Sequence, residues 1–319
     1  MASRFTSLWL FNDFSQIRFI FLFLLAGLQG CATLPWKGVD QPLLDMPRKA
    51  IPQAEVALVL GGGGAKGLAH VGVIEVLKKE GIEPDLIVGC SAGAIVGALY
   101  ADQPQVPRLK DLLLEMKREN LLKMSLASLP FGLSDGGELR AFLNEHLKAK
   151  RFEDLKIRLA VVATGLDSGD LVTFATGPIE PAVRASAAFP GVFSPVEIQA
   201  RPFVDGGVAN PVPVEVARTL GAQFVIAVDL SSSLTDNIPN HLLGVMKRSL
   251  EISYLHQSRM AHAQADVVIK IPTKDVGTFD DTANGYLYEL GRTTAYRMLP
   301  ILRRKLAQFR AKLGQEPPR

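Results

Sequence analysis

Cysteine is scarce in this chain. The 319 residues contain only Cys31 and Cys90, which are too few to build a disulfide framework. The sequence also has no H-E-x-x-H motif and no cluster of cysteines and histidines at the spacing of a zinc site. We therefore expect neither a metal nor another cofactor.

Net charge is also small, at +3 from 35 basic and 32 acidic residues. No dense stripe of Lys and Arg with interleaved aromatic residues occurs, so the sequence does not favour nucleic acid as a partner. With 48% apolar and 21% charged residues, the composition is typical of a globular protein with a sizeable core. It gives no indication of an oligomeric state.

The apolar run at residues 19–28 is too short for a membrane-spanning helix, which needs about 20 residues, but it suits the core of a secretory signal. The run ends in Leu28-Gln29-Gly30-Cys31, which resembles the lipobox of bacterial lipoproteins. We therefore expect residues 1–30 to be a lipoprotein signal, Cys31 to carry the lipid, and residues 31–53 to form a Pro-rich tether. A plain signal peptide with an incidental cysteine is the alternative.

A lipid on Cys31 predicts a protein anchored at a membrane, with its domain outside the cytoplasm. Ala32 is not the acidic residue associated with retention at the inner membrane, so the outer membrane is preferred. The apolar, irregular segment at residues 121–134 is interpreted either as a lid that contacts lipid or as packed core, and both alternatives stay open.

Short apolar runs alternate with segments of helical periodicity from residue 55 onward. The predicted strands are residues 55–60, 84–88, 157–163, 171–174, 224–229 and 266–271. The predicted helices are residues 66–80, 92–101, 108–120, 137–149, 177–188, 212–220, 241–263 and 285–313. This alternation predicts an α/β fold with a mostly parallel sheet covered on both faces. We expect a main domain at residues 54–230 and an α/β extension at residues 231–319 packed on it.

The segment Gly89-Cys90-Ser91-Ala92-Gly93 fits G-x-S-x-G between a predicted strand and a predicted helix. In that context the motif predicts a sharp turn that presents Ser91 as a nucleophile, with glycines where side chains have no room. A structural turn with an accidental serine is the alternative. Cys90 is interpreted as a small buried side chain, because only the central residue of such a turn points outward.

The glycine-rich segment at residues 61–67 follows the first predicted strand. Its spacing also fits a dinucleotide-binding loop, but that site needs an acidic residue at the end of the second strand, whereas Asp85 stands at its start. A P-loop is excluded because Lys66 is followed by glycine. We interpret the segment as an oxyanion hole, whose residues are Gly62, Gly63, Gly64, Ala65, Lys66 and Gly67.

A serine nucleophile needs a base, and the histidines do not stand in suitable places. None lies on a loop at the end of a strand, so none is favoured as a catalytic base; they are His70, His146, His241, His256 and His262. Asp205-Gly206-Gly207 instead follows the apolar pair Phe203-Val204, and the two glycines let the carboxylate approach another backbone. An ordinary Asp-Gly turn is the alternative.

Four blocks in this order resemble the patatin-like phospholipases. They are the glycine-rich loop at residues 61–67, G-x-S-x-G at 89–93, the small-residue segment ending in Pro190 and Gly191 at 185–191, and D-G-G at 205–207. The resemblance covers about residues 55–230. It implies a three-layer α/β/α fold and a dyad in which Ser91 attacks and Asp205 accepts its proton. It also implies an oxyanion held by amides of the loop, and lipid esters as substrates.

The resulting hypothesis is a membrane-anchored serine acyl hydrolase of esterase, phospholipase A or lysophospholipase type. An aspartate near its ordinary pKa of about 3.9 is a weak base, and we expect burial beside Phe189 and Phe203 to raise it. The alternative is a module that binds a nucleotide or serves as a scaffold through the glycine loop and has lost catalysis.

Overall fold

The computed structural model describes residues 41–43, 54–116, 123, 128, 131–231, 234, 238–273, 276–277 and 282–314. The expected signal, Cys31, and most of the expected tether and of residues 121–134 lie outside the described residues, so these expectations stay predictions. Within the described ranges, no helix is both long and apolar enough to cross a membrane.

The strands of the described residues are short and mostly buried. They are β1 (Ala54–Leu60), β2 (Leu86–Cys90), β3 (Gly132–Ser134), β4 (Arg158–Gly165), β5 (Leu171–Phe174), β6 (Gly191–Phe193), β7 (Val196–Ile198), β8 (Arg201–Asp205), β9 (Ala222–Asp229) and β10 (Val267–Lys270). The helices are α1 (Leu68–Lys79), α2 (Ala92–Asp102), α3 (Val106–Glu115), α4 (Gly137–His146), α5 (Ile179–Ser186), α6 (Val214–Thr219), α7 (Leu242–His262) and α8 (Asn284–Leu313).

The central sheet has the strand order β10-β9-β1-β2-β4-β8-β7, and β5 pairs with β4 beside this path. The five strands from β10 to β4 are parallel, whereas β5 and β8 run antiparallel to β4. The carboxyl ends of β1, β2, β4, β9 and β10 therefore lie at one edge, which we call the carboxyl edge. Strands β3 and β6 form a separate parallel pair.

Alternate residues of the buried strands face two cores. Leu58 and Leu60 of β1 belong to a core that contains residues of α1, α2 and α8. Ala57 and Val59 belong to a second core that contains residues of α6 and the end of α7. Helices thus cover both faces of the sheet, which explains why these strands are continuous apolar runs in the sequence. The expected three-layer α/β/α fold with a mostly parallel sheet is confirmed.

Several helices and strands of the structure differ in their bounds from the predicted ones. The helix expected to begin at Lys66 begins at Leu68, because the residues Gly64–Gly67 form a 3-10 turn. The helix expected at residues 177–188 is the shorter α5, and the one expected at 137–149 ends at His146. Strands β3, β6 and β7 were not predicted. Strand β10 pairs with β9, and α8 packs on α1, but the expected domain boundary at residue 230 stays a prediction.

Candidate active site

Ser91 occupies the turn between β2 and α2. Its backbone has φ 53° and ψ −120°, in the left-handed region that a residue other than glycine rarely adopts. Such strain costs about 1–3 kcal/mol and persists only where surrounding structure enforces it. Here the Ser91 N–H donates to Ser186 Oγ at 2.8 Å, and the Ser91 carbonyl accepts from Ala94 and Ile95 at the start of α2. The turn thus has the strained geometry expected of a nucleophile elbow.

Asp205 reaches Ser91 through the pairing of β4. Strand β5 pairs with one side of β4 near the carboxyl end of β4. Strands β2 and β8 therefore both pair with the other side of β4, one after the other along its length. Strand β2 ends at Cys90, opposite Val162, and the next residue of β4, Ala163, pairs with Asp205 of β8. Strand β8 therefore continues the sheet beyond the point where β2 turns away, and Asp205 meets Ser91 there.

The two side chains form a buried hydrogen bond. Ser91 Oγ donates to Asp205 Oδ2 at 2.6 Å, and the Gly207 N–H donates to Asp205 Oδ1 at 2.8 Å. Ser91 is 8% exposed and Asp205 is 1% exposed. Burial raises the pKa of Asp205 to about 6, although these two hydrogen bonds lower it. A carboxylate whose pKa is raised in this way is a stronger base than an ordinary aspartate.

Glycines are required where the turns that follow β2 and β8 touch the neighbouring backbone. A methyl group on Gly93 would lie 2.0 Å from the Leu60 carbonyl oxygen, and one on Gly206 would lie 2.4 Å from the Val162 carbonyl oxygen. Both distances are far below van der Waals contact, so any side chain would push the turns apart. The other two expected glycines are equally confined, Gly89 by Ala94 and Gly207 by the Tyr254 ring.

The glycine-rich loop follows β1, directly beside the elbow. A methyl group on Gly62 would lie 3.4 Å from Ser91 Cβ, so the backbones of loop and nucleophile are adjacent. However, the Gly62 N–H donates to the Pro211 carbonyl at 2.9 Å. In this conformation the Gly62 proton is therefore engaged within the protein, and the expectation that Gly62 supplies an amide to an oxyanion stays a prediction.

The rest of the loop forms the 3-10 turn Gly64–Gly67, in which the Lys66 N–H donates to the Gly63 carbonyl at 3.3 Å. The expected contributions of Gly63, Gly64, Ala65 and Gly67 to an oxyanion hole stay predictions. The Lys66 side chain is 5% exposed. Burial lowers the pKa of Lys66 to about 8, although Glu251 of α7 raises it.

Two histidines, His70 and His262, contact other groups of the fold. His70 is fully buried, and its Nε2 lies 2.8 Å from the Gly61 carbonyl oxygen. His262 Nε2 lies 2.8 Å from Asp229 Oδ2, which also accepts from Ser258 Oγ at 2.6 Å. Although this group combines serine, histidine and aspartate, Ser258 is fully buried and its hydroxyl is bonded to the carboxylate. We assign the cluster to the attachment of α7 to β9.

Cys90 beside the nucleophile is a free thiol that is fully buried. Burial raises the pKa of Cys90 well above its ordinary value, and the nearby Asp205 raises it further. A thiol in this state is a poor nucleophile, which agrees with its interpretation as a packed side chain. Among the described residues, no group of three or more His, Cys, Asp or Glu side chains could hold a metal ion.

Sequence reasoning missed two residues of the site. Ser186 lies within the third motif block, and its hydroxyl accepts the Ser91 N–H; a serine in a run of alanines was the available signal. Tyr254 packs on the turn after Asp205, and its hydroxyl is buried without a partner among the described residues. Burial raises the pKa of Tyr254, and Asp205 raises it further. Nothing in the helical pattern of α7 distinguishes this tyrosine from a core residue.

Comparisons with known proteins agree with this geometry. Residues 58–218 match the family model for patatin-like phospholipases, which is about half of the chain. An uncharacterized NTE family protein of Mycobacterium tuberculosis is 37% identical over 185 residues, which cover 56% of this chain and 49% of that protein. The human patatin-like phospholipase domain-containing protein 6 is 32% identical over 183 residues, which cover 56% of this chain and 13% of that protein.

The chain thus spans about half, or less, of the length of the curated relatives it matches. Among solved structures, VipD from Legionella pneumophila aligns with a TM-score of 0.55 at 14% identity, over 78% of this chain and 67% of that one, and at this identity the likeness concerns the fold. The family match covers the glycine loop, the serine elbow and the D-G-G turn, and the chain belongs to the patatin-like phospholipase family.

Proposed function

We propose that this protein is a serine acyl hydrolase that cleaves lipid carboxyl esters, of esterase, phospholipase A or lysophospholipase type. The observation that carries the proposal is the 2.6 Å hydrogen bond from Ser91 Oγ to Asp205 Oδ2 in a buried site. Membership of the patatin-like phospholipase family supports a lipid ester as the substrate.

In the first half-reaction, Ser91 Oγ attacks the ester carbonyl carbon while its proton passes to Asp205 Oδ2. The tetrahedral oxyanion is held by N–H groups of the loop, for which Gly63 and Gly64 are the candidates. Collapse of the intermediate breaks the bond to the alcohol oxygen, and the leaving alcohol takes the proton from Asp205. The products are an acyl ester of Ser91 and the free alcohol, which for a phospholipid is the lysophospholipid.

In the second half-reaction, a water molecule attacks the acyl carbon and gives one proton to Asp205. The second tetrahedral intermediate expels Ser91 Oγ, which recovers that proton, and the carboxylic acid leaves. One group thus acts as base and acid in turn, which suits a pKa of about 6 at neutral pH. The raised pKa of Asp205 supports a direct proton transfer from Ser91, without a histidine between them.

The decisive experiment is labelling with a fluorophosphonate probe, combined with turnover of a short p-nitrophenyl ester. We expect Ser91→Ala to lose labelling and turnover, and Asp205→Asn to lose turnover. The double variant should be little worse than either single variant, because the dyad acts as a unit. The exposed pair Ser168→Ala and Asp167→Asn serves as a matched control. Retained turnover in Asp205→Asn would overturn the dyad, and absent labelling of the unmodified protein would favour the inactive module.

Histidine is tested separately. We expect single replacement of each histidine by glutamine to leave turnover within about tenfold, whereas removal of a general base costs about a hundredfold or more. Unfolding measurements on the His70 and His262 variants separate loss of structure from loss of chemistry, because both side chains contact the fold.

The place of the protein in the cell is also a proposal. We propose that Cys31 is lipidated and that the domain lies outside the cytoplasm, with the outer membrane preferred. N-terminal mass spectrometry of the membrane fraction should show a lipid on Cys31, and Cys31→Ser should release the protein. An unmodified N-terminus that begins before Cys31 would contradict lipidation.

A further inference from the structure

The second half of helix α7 packs on the carboxyl edge of the sheet. A methyl group on Gly207 would lie 2.7 Å from the Tyr254 ring, and Gln257 Nε2 donates to the Val208 carbonyl at 3.2 Å. Ser258 Oγ donates to Asp229 at the end of β9, at 2.6 Å. The second half of α7 therefore lies over both the D-G-G turn and the end of β9.

The first half of α7 is different, because none of its described side chains from Leu242 to Leu250 is buried. Large apolar side chains are open to solvent there and just before the helix: Ile238 at 83%, Leu242 at 74%, Val245 at 48% and Met246 at 55% exposure. Leu242, Val245 and Met246 are three and four residues apart, so they lie on one face of the helix. We call Ile238, Leu242, Val245 and Met246 the apolar face.

Basic side chains border this face. Lys247 and Arg248 follow it directly, and both lie within 3.6 Å of Glu251. An apolar face bordered by cations is typical of helices that lie in the interface of an anionic bilayer. Such exposed apolar patches are uncommon on soluble surfaces without a partner.

The position of the helix connects this surface to the dyad. Leu242 precedes Tyr254 by twelve residues, so the apolar face begins roughly 18 Å along the helix axis from the turn after Asp205. Ser91 and Asp205 are almost entirely buried, and Tyr254 in the second half of α7 packs on the turn after Asp205. Contact of the apolar face with a bilayer would therefore bring its lipids to the helix that covers this turn.

We infer that the first half of α7 docks on an anionic lipid surface through Ile238, Leu242, Val245 and Met246, with Lys247 and Arg248 contacting lipid headgroups. This inference rests on the proposed function, because it gives the proposed lipid hydrolase its route to a bilayer substrate. It assigns interfacial contact to a described helix, separately from any anchor at Cys31.

The test places an environment-sensitive NBD fluorophore on the full chain. Cys31→Ser leaves buried Cys90 as the native thiol, and Leu242→Cys or Ile301→Cys adds the labelling site. Ile301, on α8, is 39% exposed and serves as the control position. With vesicles of phosphatidylcholine and phosphatidylglycerol, we expect the probe at 242 to brighten and shift to shorter wavelength, and the probe at 301 to stay unchanged. Each probe reports its own surroundings, so attachment through the N-terminal segment does not imitate the result.

A second measurement compares substrates. Leu242→Ser with Met246→Ser should lower hydrolysis of vesicle phospholipid about tenfold and leave a soluble ester unaffected, whereas Ile301→Ser should change neither. Lys247→Gln with Arg248→Gln should weaken binding to the anionic vesicles by about fivefold or more, and binding to pure phosphatidylcholine much less.

The outcomes separate this inference from the proposed function. In a Ser91→Ala background, which cannot turn over, the probe at 242 should still respond to vesicles. Turnover of soluble ester without any vesicle response at 242 would overturn the docking surface and leave the hydrolase intact. A response at 242 that depends on protein concentration without vesicles would also overturn it, because the face would then be covered by a second copy.

Discussion

The raised pKa of Asp205 predicts a measurable effect on the free energy of unfolding. Replacement by asparagine keeps the shape and the acceptor for the Gly207 N–H, but removes the ionisation. Burial raises the pKa from an ordinary 3.8 to about 6 in the folded protein. This difference corresponds to about 3 kcal/mol of unfolding free energy when the group is fully ionised. The buried carboxylate of Asp205 therefore destabilises the fold at neutral pH.

The sign of the pH dependence follows directly. Below about pH 4 the carboxyl is protonated in both the folded and the unfolded chain, so its full contribution to stability is present. As the pH rises through about 6, the folded protein must ionise a buried group, and that contribution is lost. Between these pH values, we expect the free energy of unfolding of Asp205→Asn to rise relative to that of the unmodified protein. The difference should reach about 3 kcal/mol near pH 8.

The assay is urea unfolding of the full chain, followed by circular dichroism across this pH range. Asp229→Asn is the matched control with the opposite sign. Burial raises the Asp229 pKa, but hydrogen bonds from His262, Ser258 and Ser231 outweigh it and lower the pKa to about 2. Its contribution is present above the ordinary pKa, so Asp229→Asn should lose about 2 kcal/mol near pH 8. An Asp205→Asn protein that is no more stable than the original near pH 8, with no pH trend, would refute the reasoning.

Three further predictions concern the same site. For a soluble ester, kcat/KM should rise about tenfold per pH unit below the Asp205 pKa of about 6 and level off above it, because only the carboxylate accepts a proton. Ser186→Ala removes the acceptor of the Ser91 N–H, and we expect kcat to fall by about tenfold with KM little changed, as measured by steady-state kinetics. Tyr254→Phe removes a buried hydroxyl that has no partner among the described residues, and urea unfolding should show a gain of about 1 kcal/mol.

The serine elbow could be predicted from sequence because its determinants are local. The apolar run of β2, the two glycines and the small residues of α2 stand within a short stretch around Ser91. The run predicted at residues 84–88 differs from β2 by two residues at each end, and α2 extends the predicted helix by one. By contrast, β6 and β7 have three residues each, and such short strands show no recognisable periodicity in the sequence.

The contact between Ser91 and Asp205 could not be predicted from pattern alone. It joins residues 114 apart, and it depends on β8 running antiparallel to β4 in a sheet whose central strands are parallel. Family resemblance supplied the pairing, and the register of β4 explains it. The hydrogen bond of the Gly62 N–H could likewise not be predicted from the sequence, because its acceptor, the Pro211 carbonyl, belongs to a distant loop.

The two buried aspartates at the carboxyl edge show how one residue type serves opposite purposes. Among the described residues, Ser91 and Gly207 are the donors to the Asp205 carboxylate, so burial dominates and the carboxylate stays basic. Asp229 receives several donors, so it stays ionised and binds Ser258 and His262 of α7. Tyr254 of α7 also packs on the turn after Asp205. The ionised Asp229 therefore holds in place the helix that covers Asp205. Loss of Asp229 should therefore loosen the cover of the dyad without touching a reacting atom.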